Sequence, residues 1–121
     1  MNANDKTTAK GSLSIVLTGP DGRVKLLEEY DNLVVDTGLS YLISRAVGTA
    51  KPVMSHMELG EGTTNPVGGD IQLELSLGAR ESLDSTSITG TSDEKVVYVA
   101  TFSPGSSTGA VTEAGIFNDA T

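Results

Sequence analysis

Two apolar runs separated by a small polar turn, VVYVATF at residues 96–102 and AVTEAGIF at residues 110–117, are the pattern around which the chain is arranged. In the first run both alternating sets are apolar or β-branched: Val97, Val99 and Thr101 on one side, Val96, Tyr98, Ala100 and Phe102 on the other. That pattern predicts a strand covered on both faces. Pro104, Gly105 and Gly109 provide the turn between the runs, and Gly115 gives the second run a place where another backbone can approach closely. The two runs are expected to pair at the centre of a sandwich. Nothing later in the sequence covers the open side of residues 110–117, whose only charge is Glu113. Apolar edges are normally protected by charge, proline or a partner. This strand is therefore expected either to insert beside residues 96–102 or to pair with another chain by strand addition, with Val111, Glu113, Ile116 and Phe117 as the candidate interface.

Earlier in the chain, Leu13, Ile15 and Leu17 alternate with Ser12, Ser14, Val16 and Thr18 up to Gly19-Pro20-Asp21-Gly22, a turn sequence, and residues 23–30 return as a less regular strand. Leu39, Leu42, Ile43, Ala46 and Val47 have helical spacing, with Asp36 or Thr37 as N-cap, Arg45 near the end and Gly48 as the stop. This single helix is expected to lay its apolar stripe on the sheet. Residues 54–59 read as a short strand and residues 60–70, with four Gly, as a long loop of the kind that usually has a task. Strict alternation of Ile71, Leu73, Leu75 and Leu77 predicts a strand, with a short helix capped by Asp70 as the alternative; residues 80–88 are polar but extended, and residues 89–94 turn. Residues 1–10 carry no apolar side chain larger than Ala after Met1 and read as a mobile arm; residues 11–121 form the domain. The expected fold is mainly β, a single-domain two-layer β-sandwich with one packed α-helix.

Composition narrows the function classes. With 121 residues there is room for one core, and without cysteine there is neither a disulfide nor a thiolate metal site. A formal charge of -8 repels phosphate and anionic lipid, so no nucleic-acid or membrane partner is expected. No apolar run approaches the length of a bilayer span, and residues 1–10 are too polar for a signal peptide, so synthesis in a cytoplasm is expected.

Candidate chemistry is sparse. Val34-Val35-Asp36-Thr37-Gly38 has the form in which homodimeric aspartic proteases present a catalytic carboxylate, two of which share one proton. Against this, the helical spacing that follows stands where such proteases continue in extended chain, and Asp36 has an ordinary use as a cap. His56 is the sole histidine, with Glu61 nearby, too few ligands for a zinc site and no nucleophile elbow for a triad. Gly60-Glu61-Gly62-Thr63-Thr64 lacks the lysine of a phosphate loop and carries a glutamate that repels phosphate. Asp70 with Glu74, or Glu81 with Asp84, lack the dense ligand spacing of a calcium loop and read as a solvated face. No catalytic residue, metal ligand or cofactor is assigned.

Three sets of phrases taken together, residues 31–39 (DNLVVDTGL), Met54-Ser55-His56-Met57 with Gly60-x-Gly62-Thr63-Thr64, and Ala100-Thr101-Phe102 with residues 108–118 (TGAVTEAGIFN), resemble a family of tailed-bacteriophage virion proteins over about residues 11–120. That family comprises small β-rich head decoration, cement or tail-fibre-like proteins. The resemblance implies a non-enzymatic virion component, a capsid decoration protein binding the major capsid protein at coat-subunit junctions, with a tail-fibre or appendage subunit bound to tail proteins as the alternative. It also implies that Asp36-Thr37-Gly38 is a strand-to-helix junction. Relatives of this kind continue past the Gly-Ile-Phe-Asn phrase with a further strand where this sequence ends at Thr121, so either the fold has fewer strands or a neighbour supplies an edge. A homo-oligomer, as a trimer, is expected for a small domain poor in aromatics.

Overall fold

The computed structural model describes residues 9–48 and 51–121. Most of the expected N-terminal arm, residues 1–8, lies outside the described residues. Seven strands and one helix follow in the order β1 (Gly11–Thr18), β2 (Val24–Asn32), α1 (Asp36–Ala46), β3 (His56–Gly60), β4 (Glu81–Ser82), β5 (Ser85–Thr89), β6 (Lys95–Val99) and β7 (Glu113–Phe117). The fold is mainly β with a single helix, as the sequence predicts. Its strands are divided among three antiparallel sheets, β1-β2, β4-β3-β7 and β5-β6.

The first hairpin follows its turn chemistry. Gly22 takes φ 79, a conformation costly for a side chain with a Cβ, while Gly19 N–H donates to Arg23 O at 2.8 Å and Gly22 N–H to Gly19 O at 3.0 Å. Asp21 Oδ1 accepts from Arg23 N–H at 3.1 Å. The register places Leu13 opposite Tyr30, Ile15 opposite Glu28 and Leu17 opposite Leu26 on one face, and Val16 opposite Leu27 on the other.

Residues 96–102 and 110–117 do not pair with each other. Instead β6 pairs with β5, Ile88 opposite Val96 and Thr86 opposite Tyr98. Positive φ at Gly90 (99°) and Asp93 (56°) closes that hairpin locally, and a short closure costs less chain entropy than a longer one. Because β5 is Ser-Thr-Ser-Ile-Thr, its polar composition hides the partner that the turn at residues 89–94 announces. The cover expected on both faces of residues 96–102 is only partial among the described residues: Tyr98, Ala100 and Phe102 are half-buried, whereas Val96, Val97, Val99 and Thr101 are exposed.

Strand β3 is the centre of the middle sheet, with β7 on one side over its whole length and β4 on the other. The alternating leucines at residues 71–77 make no strand. Only Ser76 bridges to Gly60, and Glu61 N–H to Leu75 O at 2.8 Å and Leu77 N–H to Leu59 O at 3.0 Å carry the segment along the β4 side of β3. Leu73 and Leu77 are half-buried while Ile71 and Leu75 remain exposed, so the four alternating side chains do not share one buried face.

The N-cap lies one residue before Asp36 and two before Thr37, the two expected caps. Val35, extended at φ -70 and ψ 167, is the N-cap and makes no side-chain cap bond; Asp36 is the first helical residue, and its N–H donates to Gly68 O at 2.8 Å. The stop is as expected, Gly48 taking φ 74. The side of α1 that meets the β5-β6 hairpin carries Tyr41 and Arg45, which line a cleft with Ile88, Val96 and Tyr98. Burial and the neighbouring Tyr41 raise the Tyr98 hydroxyl above its ordinary value. Leu39, Leu42, Ile43 and Val47, the stripe expected to lie on a sheet, are exposed.

Among the described residues no apolar side chain is fully buried; the buried polar and charged ones are Ser44, Glu58 and Ser107. The most buried side chains are therefore polar, and one of them, Glu58, lies at the centre of β3.

Candidate functional site

Around β3, a buried charge is held by two partners. Glu58 points inward from the centre of β3 and is 7% exposed. Its Oε2 pairs with Arg80 Nε at 2.9 Å, and Ser76 Oγ donates to its Oε1. The same guanidinium donates to the Asp119 carboxylate and lies 3.5 Å above the centre of the Phe117 ring. Arginine suits this position because its planar fork serves two carboxylates while its face stacks on an aromatic ring.

A second carboxylate staples the glycine loop. Glu113, at the start of β7, accepts Gly62 N–H at 2.9 Å and Leu75 N–H at 2.8 Å on Oε1, and Glu74 N–H at 3.0 Å on Oε2. Thr112 adds its N–H to Gly60 O at 2.9 Å and its hydroxyl to Gly62 O at 2.7 Å. A Cβ at Gly60 would stand 2.5 Å from Glu113 Oε1 and 2.7 Å from Leu75 O, and one at Gly62 would stand 2.5 Å from the same carboxylate oxygen. The Gly-x-Gly spacing thus lets a carboxylate approach bare backbone. Glu74 clamps the far end of this loop, accepting Thr64 N–H at 2.9 Å and Thr64 Oγ1–H at 2.7 Å. These bonds hold Glu74 below the ordinary carboxylate range, the backbone donor of Thr64 first and its hydroxyl second. A group depressed on folding contributes stability above its unfolded pKa and loses it as pH falls through the folded value. The amides of Thr63 and Thr64 are therefore expected to lose exchange protection on acidification below about pH 4, a change followed by hydrogen exchange against pH.

The four interface residues expected from sequence are spread along β7 and the residues before it: Glu113 lies opposite Gly60 at the end of β3, and Ile116 and Phe117 lie opposite Met57 and His56 at its start. Val111, Glu113, Ile116 and Phe117 are all half-buried. β7 is neither central nor beside residues 96–102: it is an edge strand paired with β3, because Glu113 and Thr112 anchor it to the glycine loop that follows β3. Glu113, the only charge of the strand and a candidate interface residue, spends its carboxylate on backbone donors inside the chain. Arg80, Glu58 and Asp119 were not singled out by sequence reasoning. A glutamate between Met57 and Leu59 in an apolar strand was the available signal, since an inward carboxylate needs a cation.

The other candidate groups are engaged locally. Asp36 lies exposed in the first turn of α1. With no cap bond to lose, Asp36→Asn and Asp36→Ala are expected to cost the same few tenths of a kcal/mol through the helix dipole, where a cap would make Asn the milder change; urea midpoints of the two variants test this. His56 Nδ1 is 2.7 Å from Ser55 Oγ, and its Nε2 is 3.5 Å from Ser82 Oγ. Asp70 accepts Val67 N–H at 2.9 Å, Glu81 accepts Ser106 Oγ–H at 2.6 Å and Asp84 accepts Thr101 Oγ1–H at 2.6 Å. Among the described residues no three His, Asp or Glu side chains converge as metal ligands.

Exposed apolar surface is the remaining feature. At the outer half of the β1-β2 ribbon both faces are bare, Val16 and Leu27 on one and Leu17 and Leu26 on the other, at 41–62% exposure. Among the described residues the backbones of β1 and β2 approach each other and no other strand or helix. Beside the ribbon's base, α1 presents Leu39, and Leu42 and Ile43 are exposed further along the helix. No family model, curated protein or solved structure matches the chain.

Proposed function

We propose that the chain is a structural component of a tailed-bacteriophage virion, a capsid decoration protein that works as a homo-oligomer, a trimer, on the major capsid protein at junctions between coat subunits. The observation that carries this reading is that, among the described residues, no apolar side chain is buried beside an extensive exposed apolar surface, which suits a subunit finished by assembly. The resemblance supplies the virion. Two of the phrases behind it, Gly60-x-Gly62-Thr63-Thr64 and Thr112-Glu113, meet as one stapled unit, so the shared pattern has a structural use that needs no catalysis. Asp36-Thr37-Gly38 opens a helix, in place of the extended chain expected of an aspartic protease.

Immunogold labelling of purified virions tests the location. Label over the head supports decoration; label on the tail would move the protein to the appendage class, and unlabelled virions would overturn a virion role. Purified protein is expected to leave a peptide library uncut at acid pH. Cleavage that Asp36→Asn abolishes would establish the protease instead.

A further inference from the structure

We propose that the outer half of the β1-β2 ribbon, with Val16, Leu17, Leu26 and Leu27, is inserted between further copies of this chain, so that the folded unit is an interlocked homo-oligomer whose apolar core is intermolecular. This deepens the oligomer part of the proposed function and does not depend on where the protein sits on a virion.

The argument starts from area. The chain exposes 9073 Å², whereas a compact monomer of 12.5 kDa exposes about 6,200 Å². The ten residues outside the description account for at most about 1,500 Å² even at the fully extended limit, which leaves about 1,400 Å² in excess. That amount exceeds the roughly 800 Å² each partner gives to a standard interface and falls within what obligate partners bury.

The shape of the bare surface says how it is covered. A flat partner covers one face of a two-stranded ribbon; here Val16 and Leu27 point to one side and Leu17 and Leu26 to the other, so both sides need cover. An isolated two-stranded hairpin is marginal in water, and this one has no other element against its strands among the described residues. The occupant is a second copy because the deficit is that of a core. With no apolar side chain buried among the described residues, the core must be completed by a partner, and other copies of the chain are present wherever it is made. Each copy also offers apolar surface to receive a ribbon, namely Leu39, Leu42, Ile43 and Val47 of α1 and Ile88, Val96 and Val97 of the β5-β6 hairpin. Obligate interfaces resemble a domain core cut in two, and the residues here are of that kind.

Because the chain has no cysteine, single thiols report on the surface directly. Leu27→Cys and, as an exposed polar control, Gln72→Cys are purified alone, so that only another copy can shield either site. Light scattering on the wild type is expected to give a multiple of 12.5 kDa. The thiol at position 27 is expected to react with a maleimide at least ~10-fold more slowly than that at position 72, and to lose this protection on dilution as the assembly dissociates. A wild-type monomer with native circular dichroism at tens of micromolar would overturn the proposal. So would an oligomer in which both thiols react equally fast, since the interface would then lie elsewhere. If Leu27→Cys fails to assemble, Val16→Cys on the same face gives the same reading. All of this is measured without virions, so a failed labelling experiment and a failed ribbon are separate results.

Discussion

Replacing Glu58 by alanine is expected to cost about 3–5 kcal/mol, enough to unfold a small domain at ordinary temperature, because it leaves Arg80 as a largely buried cation with only the exposed Asp119 to pair with. The Arg80 side chain is 13% exposed, and the face of its guanidinium is already committed to Phe117, so water replaces the lost carboxylate poorly. Arg80→Ala is expected to be comparably severe, since Glu58 would retain only the Ser76 hydroxyl. The pair differs from a surface bridge in the sign of its double mutant. Removing both charges, as Glu58→Leu with Arg80→Leu, should be milder than either single change, because no uncompensated charge is left behind. Urea midpoints of the four proteins at one fixed concentration give the coupling; additive losses would mean that the bridge behaves as an exposed one, worth under about 1 kcal/mol.

The second large effect belongs to Glu113. Glu113→Ala removes the acceptor of three backbone N–H groups, on Gly62, Glu74 and Leu75, and is expected to destabilise by about 3 kcal/mol, the scale of charge-assisted bonds that are partly shielded. Glu113→Gln keeps a carbonyl acceptor but brings an N–H₂ group against donors, and should recover less than half of the loss. The accompanying structural prediction is local. The amides of Gly62, Glu74 and Leu75 should become exchange-labile in Glu113→Ala while the β5-β6 hairpin keeps its protection, because no bond of Glu113 reaches it. An even loss of protection across the whole chain would show that the staple is not a local device. The glycines make the same point from the other side: Gly60→Ala places a Cβ against Leu75 O, which is backbone and cannot swing away.

What could be read from the sequence was whatever rests on local chemistry. The hairpin at residues 11–32 follows from Gly19-Pro20-Asp21-Gly22, and the helix from the spacing of Leu39, Leu42 and Ile43 with Gly48 as its stop. The mainly β class with one helix followed from these and from the short strands around them. Partner choice did not follow. β5 is too polar to announce itself as the neighbour of β6, and β7 finds β3 across about fifty residues through Glu113 and Thr112, whose bonds to the glycine loop have no sequence signature. The alternating leucines at residues 71–77 misled because alternation reports which side chains seek cover, and within one chain Ile71 and Leu75 find none. The same holds for Val96, Val97 and Val99. Their pattern predicts a strand covered on both faces, and among the described residues nothing covers these three valines, which is part of the observation from which the assembled unit is inferred.

If the apolar core is completed between copies, folding and association are one equilibrium, and stability must depend on how much protein is present. The direct measurement is the thermal midpoint of the wild-type protein, followed by circular dichroism over a hundredfold range of concentration. A midpoint that climbs steadily with concentration, with the assembly and the native spectrum lost together in one transition, is the predicted result. A midpoint independent of concentration, with a folded 12.5 kDa species at the lowest dilution, would contradict it.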